Sequence, residues 1–351
     1  MRMLAGFALL LTSSAGLAAT PTAPWALPMK AVAVQRELSF TSGTAKLSGT
    51  LYRPAGNAKV PVVIVLHGAQ APSRDEHLYD HLKAMLPPLG MAVFVYDRRG
   101  TGKSSAGDRN VHDFDVLADD GIAAFHMLAA ETGIDAARIG FWGLSQGGWL
   151  TLLAAAKEPK AAFAISISAP MATADVQMNF AVANIMRIKG YPQTDIDEAV
   201  AARTAVDDYA RGKRDRASAE AADKAAQAKP WYKLIYLKGN IDDPAWPQQI
   251  GSDPLVSLDR SRVPTLMIYG QADPWVPVGP SIAAIERTAA RHPNVTMRVV
   301  AGADHSMMLG VDPAHQIDPA FFPDAAPDAP EYFGLMTSWL TARKIATPPV
   351  R

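Results

Sequence analysis

The chain has 351 residues, and its 34 basic side chains balance 34 acidic ones, for a formal net charge of zero. That balance gives no electrostatic reason to expect nucleic acid or an anionic membrane surface as partner, and 49% hydrophobic with 19% charged residues is the composition of a globular chain rather than a disordered one. There is no cysteine, which excludes disulfide frameworks, Cys-ligated metals and thiol nucleophiles.

Arg2 precedes a short apolar run over 3–11 and then small residues up to Ala18-Ala19; no further charge occurs before Lys30. A basic start, a short apolar run and small residues at the end form the pattern of a secretory signal over 1–19. The apolar run is about half the ~20 residues a membrane span needs, so the alternative of an N-terminal anchor is the weaker one. Periplasmic or secreted localisation is expected, without stable membrane association.

Residues 35–40 and 46–53 read as two short strands joined by Ser42-Gly43. Continuous apolar runs follow at 60–66, 91–96, 138–142, 161–167, 263–269 and 295–300. Runs without alternation are buried on both faces, as parallel strands are. Helical patterns at 75–86, 113–131, 146–156, 281–290 and 330–345 lie between and after them. Strand–helix alternation of this kind predicts an α/β, doubly wound and mostly parallel sheet. One interval breaks the rhythm. Residues 171–262 are far longer than a crossover requires and read as a mainly helical cap. Ile196, Val200 and Val206 form a stripe there, 219–228 is Ala-rich, and Trp231, Tyr232, Ile235 and Tyr236 make an apolar–aromatic patch. The expected division is a core of 31–170 and 263–347 with the cap inserted between two late strands.

The chemistry centres on Gly143-Leu144-Ser145-Gln146-Gly147, which follows an apolar strand and opens a helical stretch. This is G-x-S-x-G in the context that gives it meaning: glycines clear a sharp strand-to-helix turn, and the turn lifts the Ser145 hydroxyl over the helix N-terminus. A hydroxyl needs a base to become a nucleophile. His305, in Gly302-Ala303-Asp304-His305 just past the last strand, can reach the same sheet edge. The imidazole needs an orienting carboxylate. Asp273, directly after the 263–269 run, gives the chain order Ser–Asp–His; Asp304 is the rival, but a neighbour in an extended loop points away. Two N–H groups must stabilise the tetrahedral oxyanion: Gln146, after the nucleophile, and Ala69 in His67-Gly68-Ala69-Gln70, with Gln70 as fallback. Trp231, Tyr232 and Trp275 are the expected substrate contacts. Gly100-x-Gly102-Lys103-Ser104 fails the Walker spacing, and no His/Asp grouping has zinc spacing, so neither metal nor other cofactor is expected.

Residues 60–345 resemble an α/β-hydrolase. The matching segments are His67-Gly68, Tyr96-Asp97-Arg98-Arg99-Gly100-Thr101-Gly102-Lys103-Ser104, Gly143–Gly148, Gly270–Asp273 and Asp304-His305. The Asp-Arg-Arg-Gly-x-Gly-x-Ser stretch is similar to that of capped bacterial esterases and proline-iminopeptidase-like members, and the leading strands are similar to the dienelactone-hydrolase side of the superfamily. The resemblance implies the α/β-hydrolase fold with a helical cap and a serine hydrolase acting on a small-molecule ester through an acyl-enzyme. A short-peptide peptidase and a thioesterase or acyltransferase are the alternative chemistries; a non-catalytic binding protein would usually have lost a triad residue, and none is lost here.

Overall fold

The computed structural model describes residues 33–237 and 239–347; the signal expected over 1–19 lies outside the described residues. The strands are β1 (Val34–Ser42), β2 (Ala45–Arg53), β3 (Val60–Leu66), β4 (Ala92–Tyr96), β5 (Ile134–Leu144), β6 (Phe163–Ile167), β7 (Thr265–Gly270) and β8 (Val295–Val300). They form one sheet in the order β1-β2-β4-β3-β5-β6-β7-β8. β2 runs antiparallel to β1 and β4, and β3 to β8 pair in parallel. The C-terminal ends of those six strands therefore share one edge. Ligands of open α/β sheets bind outside such an edge.

The helices are α1 (Asp80–Met85), α2 (Phe114–Ala129), α3 (Gln146–Lys157), α4 (Ala174–Ile188), α5 (Gln193–Ala210), α6 (Arg216–Gln227), α7 (Trp246–Gly251), α8 (Pro254–Arg260), α9 (Val278–Thr288), α10 (Pro313–Gln316) and α11 (Pro330–Ala342). The unbroken apolar run of β3 has a direct explanation in the packing. Val62, Ile64 and Leu66 join Leu117 and Phe125 of α2 and Leu150 of α3 in one core, while Val63 and Val65 join Leu82 of α1 and Met336 and Leu340 of α11 in another. Both faces of the strand are covered, so there is no polar alternation to read.

Between β6 and β7 the chain forms α4 to α8. α4, α5 and α6 with the segment after them have their own small core, built from Val182, Met186, Ile196, Val206, Trp231 and Ile235, whereas Leu258 of α8 packs with Leu152 of α3 and Met267 of β7. The N-termini of α6 and α8 are capped by Asp215 and Asp253, whose carboxylates accept from Ser218 N and Leu255 N. α4 docks on the sheet edge by one face: Gln177 Nε2 donates to Trp275 O and Asn184 Nδ2 to Pro274 O, both at 2.9 Å. On the other side, Gln249 Nε2 donates to His112 O. The helical insertion is thereby tied to both flanks of the edge where β5 and β7 end. No helix among the described residues is long and apolar enough to cross a membrane.

Candidate active site

β5 runs straight into α3 through Ser145, whose backbone sits at φ 60°, ψ −122°. A non-glycine residue there is strained, and its surroundings hold it. Ser145 N donates to Ile167 O at 2.8 Å, and Ser145 O accepts from Gly148 N at 2.9 Å. The flanking glycines are steric requirements. A Cβ at Gly143 would lie 2.1 Å from Gly147 O, and one at Gly147 would lie 2.2 Å from Leu66 O. The turn is closed so tightly that only hydrogen fits at these positions, and Ser145 is left half-buried at the start of α3 with no capping bond of its own.

Asp273 follows β7. Its side chain is fully buried, Oδ1 accepts from Trp275 N at 2.8 Å and Val276 N at 3.0 Å, and Oδ2 lies 2.7 Å from His305 Nδ1. His305, past β8, keeps 17% of its side chain exposed. Burial opposes its charge, but the Asp273 carboxylate, through charge and hydrogen bond, outweighs that, and Asp304 adds to it; the imidazole pKa stands raised above 6.5. Asp304 is used differently. Its Oδ1 accepts from Ser306 N and Met308 N, both at 2.8 Å, and bends the loop that carries His305. Met307 takes φ 64° in that bend, and its carbonyl receives Asp328 N and Ala329 N. Burial raises the Asp304 pKa. Ser145, Asp273 and His305 thus stand at the ends of β5, β7 and β8, along one edge of the sheet.

Gln146 is the first residue of α3, and its N–H, like those of Ala69 and Gln70, has no acceptor among the described residues. Ala69 and Gln70 are exposed, whereas Gly68 is buried. The loop that carries them is held from below by His67. Its Nε2 donates to Tyr96 O, and its Nδ1 lies 3.0 Å from the Tyr79 hydroxyl, which itself donates to Ala71 O at 2.7 Å. Burial, with the Arg98 charge adding, pushes the His67 pKa down to about 4, so His67 is neutral and supports the loop.

The aromatic residues expected over the site separate into two groups. Trp231 is 1% exposed and belongs to the core of the helical insertion. Tyr232 packs against that same core, and its hydroxyl donates to Asp223 at 2.8 Å. Both serve the insertion itself. Trp275 is next to Asp273, its indole donates to Gln316 O at 3.1 Å, and its ring faces Tyr236 and Phe322 at 6.4 and 5.7 Å between centroids. Tyr236, 38% exposed at φ 51°, is therefore the aromatic residue of the patch that approaches the Asp273 loop. Periodicity could not single it out, because it lies outside any helix or strand. The Asp97-Arg98-Arg99 stretch also resolves into separate tasks. Asp97 binds Arg74 through two bonds and accepts Lys103 N; Arg99 pairs with the fully buried Asp120; and Arg98 Nη1 donates to Gln146 Oε1 at 2.9 Å.

Comparison with known proteins agrees with this architecture. The family model described as serine aminopeptidase, S33 (Hydrolase_4) matches residues 57–312. The chain is 30% identical over 130 residues to the quorum-quenching protein AidA of Acinetobacter baumannii, a match covering 37% of this chain and 42% of that one. It is 34% identical over 110 residues to the monoglyceride lipase of Rattus norvegicus, covering 31% and 34%. These matches span less than half the length of either relative. An esterase of Pyrococcus furiosus superposes with a TM-score of 0.58 at 18% identity, over 88% of this chain and 91% of that one, which is a likeness of fold. The chain belongs to the serine aminopeptidase S33 family of the α/β-hydrolase superfamily.

Proposed function

We propose that the protein hydrolyses carboxylic esters of small molecules, with Ser145 as nucleophile, His305 as general base, Asp273 as the orienting carboxylate, and the N–H groups of Gln146 and Ala69 as oxyanion donors. The observation that carries this reading is the 2.7 Å contact between His305 Nδ1 and the buried Asp273 carboxylate, at the same sheet edge as the strained Ser145 turn. With Nδ1–H given to Asp273, Nε2 is left as the free base. It takes the Ser145 proton as Oγ attacks the acyl carbon, returns it to the leaving alcohol, and then activates water against the acyl-enzyme. Two N–H groups without internal acceptors suit the developing oxyanion.

The family description favours a second reading, an aminopeptidase. Such an enzyme needs carboxylates to hold the substrate ammonium. Asp195, Asp197 and Glu198 supply a group of carboxylates on α5 of the insertion. Asp197 is already taken by Gln193 and Glu198 by Lys229, both on the exposed face. The aromatic residues Tyr236 and Trp275 offer apolar surface instead, which supports esters with uncharged acyl or aryl groups. Export to the periplasm or beyond is proposed from residues 1–19 alone, and sequencing the N-terminus of the protein from fractionated cells tests it. A side-by-side assay of p-nitrophenyl esters of graded length and aminoacyl-p-nitroanilides tests the chemistry. Ester turnover that disappears in Ser145→Ala is expected; turnover confined to the anilides would establish the peptidase reading in its place.

A further inference from the structure

Three arginines lie around the loop after β4, and two of them have carboxylate partners. Arg74 takes Asp97, and Arg99 takes Asp120, each through two hydrogen bonds. Arg98 is 8% exposed, yet no carboxylate among the described residues pairs with it. Its partners are neutral: Gln146 Oε1 at 2.9 Å from Nη1 and Val111 O at 3.4 Å from Nη2. A buried charge without a counter-charge is costly, and folded chains retain few of them. Burial indeed lowers the Arg98 pKa, though a guanidinium stays charged.

The position of this charge gives it a use. Gln146 is the residue whose N–H is the candidate oxyanion donor, and it opens α3, whose N-terminus is itself partly positive. His67, the support of the Ala69 loop, donates to the carbonyl of Tyr96 two residues before Arg98, and the Arg98 charge helps lower its pKa. The guanidinium thus holds the side chain of one candidate donor residue and acts on the histidine that supports the loop of the other. In the resting enzyme no carboxylate pairs with it, since Asp120, whose charge reaches it, is bound by Arg99, and in the tetrahedral intermediate a new negative charge develops at the Gln146 amide. An interaction present only in that state raises kcat rather than ground-state binding.

We propose that Arg98 is a positioning residue for the oxyanion site: through its bond to the Gln146 side chain it fixes the α3 N-terminal amide, and its buried unpaired charge favours the negatively charged intermediate. This rests on the ester-hydrolase reading above.

The test uses the full chain and a small alkyl boronic acid as probe. Ser145 Oγ adds to boron, the hydroxyl proton passes to His305, and boron becomes a tetrahedral anion. Arg98→Met should lower kcat about tenfold or more, below the roughly 100- to 1,000-fold cost of deleting a direct donor. Boronate affinity should weaken in parallel, with KM for a neutral ester within about twofold, as loss of intermediate-specific binding requires. Arg98→Lys keeps the charge and should recover most of the boronate affinity. Should Arg98→Met not fold, Arg98→Gln removes the charge while keeping a donor for Gln146 Oε1, and should show the same split between kcat and KM. Unchanged kcat and boronate affinity in Arg98→Met, or an effect confined to KM, would overturn the proposal and leave the ester-hydrolase reading standing. Failure of a phosphonate to label Ser145 in the unmodified protein would instead remove the reading beneath it.

Discussion

At the scale of single residues, two carboxylates compete in the sequence for one imidazole and take different tasks in space. Chain order favours Asp273, while Asp304, adjacent to His305, is the rival that an extended loop would turn away. The structure gives Asp273 the imidazole and Asp304 the backbone N–H groups of its own loop. Asp273→Asn should therefore lower kcat by about four orders of magnitude with little change in KM, as expected when the wrong imidazole tautomer is favoured. Asp304→Asn, which keeps an acceptor oxygen for Ser306 N and Met308 N, should leave most of the rate and lower the melting temperature. Equal rate losses in the two variants would sink the distinction. The same contact sets a pH dependence. His305 as the proposed base must be neutral, and the Asp273 carboxylate holds its folded pKa above 6.5. Activity should thus fall as pH drops through a value above 6.5. Removing the Asp273 charge leaves burial, which favours the neutral ring, so the residual activity of Asp273→Asn should persist to lower pH. A profile whose acid limb stays in place would show that another group controls it.

At the scale of elements, the parallel strands announce themselves because burial on both faces leaves uninterrupted apolar runs; β3 is read at its observed bounds for this reason. β5 is longer than its apolar run, starting at Ile134 rather than 138, because its first residues pair with Val60 across an irregularity and face solvent in part. α1 is shorter than its pattern, since 77–79 wind as a tighter 3-10 turn. The Ser145 turn was legible because only glycine can occupy its flanks, and that makes a sharp prediction. Gly147→Ala forces a methyl against the Leu66 carbonyl, a backbone atom that cannot rotate away. A loss of about 3 kcal/mol or more, at the upper end of overpacking costs, should appear in urea unfolding, with activity falling as α3 shifts. Gly334→Ala is the contrast: it sits in the exposed middle of α11 with nothing within 4 Å of a new Cβ. Helix propensity alone should stabilise that variant by up to about 1 kcal/mol. If both substitutions proved equally harmless, the steric account of the turn would be wrong.

At the scale of the whole molecule, the helical insertion is where sequence reading reached least far. Composition distinguishes apolar from polar residues, but not an aromatic residue that fills the insertion's own core from one that faces the sheet edge. Trp231 belongs to the first kind and Tyr236 to the second, five residues apart. A fully buried pair sets the position of Tyr236: Arg203 Nη1 donates to the carbonyls of Ile235 and Tyr236, while Asp207, beside Arg203, accepts from Trp246 Nε1 at 3.1 Å. That brace holds a left-handed tyrosine over Trp275, whose own N–H is bound to Asp273. The two aromatic residues should therefore respond differently to truncation. Trp231→Ala empties a core position and should cost about 3–5 kcal/mol, seen as early unfolding of the insertion by hydrogen exchange. Tyr236→Ala removes a partly exposed ring from the approach to the site and should leave stability nearly unchanged. A substrate group that packs on that ring loses up to about 1.5–3 kcal/mol of apolar burial, so KM for the longer or aryl p-nitrophenyl esters should rise about tenfold or more, while the acetyl ester is unaffected. An ester-length profile that Tyr236→Ala does not alter would mean that the substrate enters past a different wall of the insertion.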